Sequence, residues 1–180
     1  AWVPGTVPAV VADPARDTHV RTVYDANNRA IYSIDGTGAV TETRYDANGN
    51  VTDRIAYTNR IPVTTPATTS AIAAALVADV AHDQHQRNVY DSANRVTWTV
   101  DGRGAVSQFV YDNDGNVIKR VDYASTIDPS ADPQTVQASA ADRVTLTAYD
   151  NVGRQVFQVD ARGSVTKQVY DASGNVIQRI

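Results

Sequence analysis

The chain has no cysteine and no methionine, only two phenylalanines and two tryptophans, and no apolar run long enough to span a bilayer. Without cysteine there is no disulfide framework, no thiol nucleophile and no thiolate metal site. Positive charge is scarce as well: 16 Lys and Arg stand against 20 Asp and Glu in 180 residues, for a net charge of −4. That balance argues against a nucleic-acid or anionic-membrane surface. A nucleophile elbow, a His-Glu-x-x-His helix, a phosphate loop and paired carboxylates with separable roles are all missing. The sequence therefore points away from an enzyme, and no cofactor is expected.

What is present is a repeat. A Tyr-Asp pair followed by a turn recurs at Tyr24-Asp25, Tyr45-Asp46, Tyr90-Asp91, Tyr111-Asp112, Tyr149-Asp150 and Tyr170-Asp171. Within each couple the tyrosines are 21 residues apart, and the couples start 66 and then 59 residues apart. Such a period marks a repeat architecture. It divides the chain into unit one (1–58), unit two with an N-terminal helix (59–124) and unit three (125–180, truncated). A lone unit of that size has a marginal core, so neighbours are expected to stack. The chain starts at Ala1 without methionine and stops at Ile180 inside a repeat, as expected for a piece of something longer.

Pro4, Pro8 and Pro14 leave room for about two helical turns over Val7 to Ala15. Val11 to His19 aligns without a gap onto Val77 to His85. From Thr18 the period becomes two, giving strands over Thr18–Tyr24, Arg29–Ile34, Ala39–Tyr45 and Val51–Tyr57, separated by Asp, Asn and Gly turns. This is a four-stranded antiparallel meander, repeated in units two and three. Tyr32 and Trp98, flanked by aliphatics at two-residue spacing, and Phe157, between Gln155 and Val159, are expected to face a core; the opposite face is mixed and could be wet. Between meanders, Thr69 to Gln84 reads as a helix capped by Thr69 or Ser70, with Ile72, Leu76 and Val80 as its stripe. Asp132-Pro133 predicts a second helix over Pro133 to Asp142. Val121 to Ile127 closes unit two as Ile55 to Ile61 closes unit one.

The spacing Tyr-Asp-x-x-Gly-Arg/Asn, strand, Asp-Gly-x-Gly, strand, Tyr-Asp resembles the RHS/YD repeats of bacterial polymorphic toxins, insecticidal toxin complexes and teneurins. The matching stretches are Asp35–Asn50, Asp101–Asn116 and Asp160–Asn175, and the three meanders cover roughly two thirds of the chain. The resemblance implies a mainly β fold in which tandem meanders form a twisted ribbon or solenoid-like array. In the shells of that family the ribbon encloses a toxic polypeptide. It also implies a secreted or cell-surface bacterial setting, with neighbouring repeats as partners. Asn28 and Asn94 depart from the pattern where glycine is usual, yet asparagine tolerates the left-handed conformation.

The Tyr-Asp pairs are read as strand-end packing and turn satisfaction, against the alternative of a sugar-contacting surface. Asp46-x-Asn48-x-Asn50, Asp112-x-Asp114-x-Asn116 and Asp171-x-Ser173-x-Asn175 begin like calcium loops. They lack glycine at the sixth position, and Tyr57 and Tyr123 stand where the first two would need glutamate, so hairpin loops are expected. His82 and His85, with Asp79 and Asp83 beside them, have a metal-like spacing but no evident third ligand. No metal is expected there. The reading is a structural repeat segment, shell or stalk. The alternatives are a carbohydrate-binding adhesin module and a calcium-stiffened surface repeat.

Overall fold

The computed structural model describes residues 19–180. The turn signals alternate with period-two stretches, and each stretch becomes a strand. They are β1 (Val20–Tyr24), β2 (Ala30–Asp35), β3 (Val40–Tyr45), β4 (Val51–Ala56), β5 (Gln84–Tyr90), β6 (Val96–Val100), β7 (Ala105–Tyr111), β8 (Val117–Thr126), β9 (Arg143–Tyr149), β10 (Gln155–Val159), β11 (Val165–Tyr170) and β12 (Val176–Arg179). All twelve form one open sheet in chain order. Every neighbouring pair is antiparallel. The architecture is mainly β, a continuous meander ribbon.

Asn28 and Asn94 have φ of 60° and 59°, the left-handed conformation their turns demand. The short helix foreseen near Val7 to Ala15 lies outside the described residues.

Register places Tyr32 and Ile34 of β2 on one face with Val23 of β1, Val40 of β3 and Ile55 of β4. The segments that link the meanders cross this face, and we call them straps. The first strap covers unit one: Ile61 and Ile72 join Val23, Tyr32, Ile34 and Val40 in a buried cluster. The second covers unit two, where Val136 buries Val100 and Val106 and Trp98, Tyr123 and Ile127 pack alongside. Tyr123 stacks on Trp98 with ring centroids 5.7 Å apart.

Both straps are less helical than the sequence predicts. Helix α1 spans only Thr69–Ala75 and is capped by Thr68, whose side chain accepts from the Ala71 N–H. Leu76 is already extended, and Val77 and Val80 are exposed, so the stripe ends one turn in. Asp79, His82 and Asp83 are the reason. Asp83 accepts from the Asp79 and Thr58 N–H groups, and Asp79 accepts from the Ala81 N–H, giving the backbone an alternative to helix. The second predicted helix shrinks to one 3₁₀ turn, Pro133–Thr135, with Asp132 as its cap. Val136 then turns inward to fill the core. Asp142 accepts from Ala124 and Ser139 N–H groups, tying the strap's end to its start as Asp83 does in the first.

Phe157, expected to be the third core anchor, is 41% exposed. Tyr32 and Trp98 are covered by the straps that follow β4 and β8, whereas among the described residues no strap packs on the equivalent face around Phe157.

Candidate functional site

The sequence singled out the Tyr-Asp turns, and the structure shows what each half of the pair touches. Asp25 uses Oδ1 to accept the N–H groups of Asn27 and Arg29, both at 2.9 Å, while Oδ2 pairs with the Arg29 guanidinium at 2.8 Å. That guanidinium lies 4.8 Å from the ring centroid of Tyr45, the second tyrosine of the couple. Asp91, Arg95 and Tyr111 repeat the arrangement in unit two, and Asp150, Arg154 and Tyr170 in unit three. The second aspartates, Asp46, Asp112 and Asp171, accept two loop N–H groups on Oδ1 and the side-chain amide of Asn50, Asn116 and Asn175 on Oδ2.

These bonds hold the turn carboxyls below the ordinary carboxylate value. For Asp25, Asp91 and Asp150 the largest cause is the backbone N–H of the arginine four residues on. For Asp46, Asp112 and Asp171 it is the asparagine side chain. A carboxylate engaged in this way stabilises the ionised form through local donors. Its lone pairs are committed to the loop, and among the described residues no group of three or more His, Asp or Glu is arranged to hold a metal ion.

The tyrosine hydroxyls follow one rule. Tyr45 at the end of β3 donates to the Ala30 carbonyl at the start of β2, Tyr111 to Val96, and Tyr170 to Gln155. Tyr90 reaches from β5 back to Val51 at the start of β4, and Tyr149 reaches from β9 to Val117 at the start of β8. The last two bonds cross from one unit to the one before it. All five are half-buried, and their polar tips are committed to backbone carbonyls rather than lining an open groove. Tyr24, on the first described strand, is 54% exposed.

A feature missed in the sequence accompanies every pair. Where each Tyr-Asp turn begins, register slips by one residue, leaving Ile31, Thr52, Thr97, Ile118, Val156 and Ile177 as extra residues in β2, β4, β6, β8, β10 and β12. A bulge bends its strand and increases its right-handed twist. Here the bend recurs at every second hairpin. Four of the extra residues are apolar and two are threonines, residues common in any strand, so no side-chain chemistry announces them; the signal is the recurring Tyr-Asp turn itself.

A polar cluster sits between the two strap-covered cores. Asp53 on β4 is buried, with His85 Nε2 at 2.8 Å and Arg87 Nε at 3.2 Å, both from β5. Burial pushes its carboxyl up, but the hydrogen bonds from His85 and Thr52 and the charge of Arg87 bring it below the ordinary value. Arg87 also donates to the Ser130 and Ala131 carbonyls of the second strap, as Arg21 donates to Thr65 of the first. His82 and His85 are therefore not neighbours on a helix: His82 bonds Asp79 in an exposed turn and His85 lies on the sheet.

No family model matches the chain, and no curated protein matches it by sequence. Solved structures do. The crystal structures of TcdB2-TccC3-TEV and of TcdB2-TccC3 without hypervariable C-terminal region each match at a TM-score of 0.61 and 14% identity, and that of TcdB2-TccC3 matches at 0.61 and 16%. The likeness is one of fold. It covers 89% of this chain but only 8% of each of those chains. Among the described residues no helix is long and apolar enough to cross a membrane.

Proposed function

We propose that the chain is a non-enzymatic structural segment of a large RHS/YD-repeat protein, secreted or displayed at a bacterial cell surface, and serves as shell or stalk. The observation that carries this reading is the chain of tyrosine clasps. Each Tyr-Asp turn spends its carboxylate on its own loop, and five of the six tyrosines spend their hydroxyl on the strand behind them, so the repeated residues join strands. The bulge that goes with every turn adds curvature. Repeats of this kind set length and bend while another part of the parent protein acts, and an enclosed polypeptide is the natural cargo of a closed array. The fold likeness to TcdB2-TccC3 chains supports this assignment.

Thermal unfolding with and without millimolar calcium, and against a glycan panel, is the test. The scaffold reading predicts one cooperative transition whose midpoint none of these additions moves. A rise with one glycan alone would replace it with an adhesin, and a calcium-dependent rise would make the turns ion sites.

A further inference from the structure

The same seat occurs three times along the sheet, and two of the three are filled. In unit one the Ile61 N–H donates to the Gly38 carbonyl at 2.9 Å, and the strap passes so close that a Cβ on Gly38 would lie 2.1 Å from the Ile61 carbonyl oxygen. In unit two the Ile127 N–H donates to Gly104 at 3.0 Å, and a Cβ there would lie 1.9 Å from the Ile127 oxygen. Gly163 takes their place in unit three, with a φ of +82° close to theirs, but nothing lies within 4 Å of its Cβ position. The residue two positions on tells the same story: Val40 and Val106 are 2% and 1% exposed, whereas Val165 is 60% exposed.

We infer that this face of unit three is a docking seat for a third strap, an extended Tyr-x-x-x-Ile segment supplied by a further repeat of the same kind. The isoleucine enters the notch at Gly163. The tyrosine lies over Phe157, as Tyr123 lies over Trp98. Its hydroxyl meets Lys167, which replaces the Glu42 and Gln108 that bond Tyr57 and Tyr123. Leu146 stands where Arg21 and Arg87 grip strap carbonyls, so the third strap makes an apolar contact there. Register already suits it, because Ile180 exchanges backbone bonds with Lys167 at 2.8 and 3.0 Å as Ile55 and Val121 pair with Glu42 and Gln108.

The probe is a synthetic peptide of residues 122–137, added to isotopically labelled chain and followed by amide chemical shifts. Saturable shifts centred on Phe157, Gly163 and Val165 are expected, and they vanish with peptide carrying Ile127→Asp. Gly163→Ala should weaken binding by about tenfold or more, since its Cβ would meet the incoming carbonyl. Gly174→Ala, at a φ of +85° with open space around it, controls for backbone strain and should leave binding unchanged. A second arm joins the same residues directly after Ile180, which raises their effective concentration, and predicts a higher unfolding midpoint that Ile127→Asp in the added copy abolishes. No shift in the first arm together with no rise in the second would overturn the inference. So would equal binding by Gly163→Ala, or self-association at this face that the peptide fails to displace.

Discussion

A hydroxyl 2.7 Å from the Val96 carbonyl and a ring centroid 4.6 Å from the Arg95 guanidinium give Tyr111 two separable contributions. Tyr111→Phe removes the hydrogen bond alone and should cost about 1 kcal/mol. Tyr111→Ala removes the ring as well and should cost about 2 to 3 kcal/mol in chemical denaturation. Equal losses for the two variants would assign the whole effect to the hydroxyl and sink the ring's role. The turn aspartates make a pH prediction. Their folded-state carboxyls lie below the unfolded value of 3.8, so their stabilisation is complete above that value and is lost as pH falls through the lower, folded one. The unfolding midpoint should therefore be flat with respect to these groups at neutral pH and fall below about pH 4. A midpoint unchanged on acidification would contradict the carboxylate turns. The Tyr-Asp signature is plain in the sequence because the turn chemistry is local, within four residues. The partner of each hydroxyl is not, because Tyr90 and Val51 are 39 residues apart and meet only once register is set.

At the level of elements, strands follow from period-two patterning and agree with their expected spans to within a residue or two, as with Val51–Ala56 against Val51–Tyr57. The linkers are where pattern and structure part. Ile72 and Leu76 do recur at helical spacing, but Asp79 and Asp83 serve backbone donors that a continued helix would have kept. The match between Ile55–Ile61 and Val121–Ile127 was visible, yet its meaning, a strap threading past a glycine, required the third dimension. That contact can be tested. Gly104→Ala sets a methyl 1.9 Å from the Ile127 carbonyl oxygen in addition to straining a φ of +79°, while Gly115→Ala, at +90° with nothing within 4 Å, suffers the strain alone. Strain of that kind costs about 1 to 2 kcal/mol. Gly104→Ala should exceed Gly115→Ala by at least that much again, read from paired denaturation curves. Equal costs would mean that the strap does not lie on the glycine.

At the scale of the whole fold, the twelve strands of the described residues, in chain order, make a ribbon rather than a ball. Its apolar face is closed in two places by straps and open in the third, and its bends fall at regular intervals. Small-angle X-ray scattering of the isolated chain tests this most directly. Eleven strand intervals of about 4.8 Å give a span of about 50 Å across the sheet. A compact domain of this length would have a radius of gyration of about 16 Å. The ribbon predicts a monomer with a clearly larger radius and a longest dimension of at least that span. A monomer at the compact value would contradict the continuous sheet, and with it the account of the chain as a length-setting scaffold.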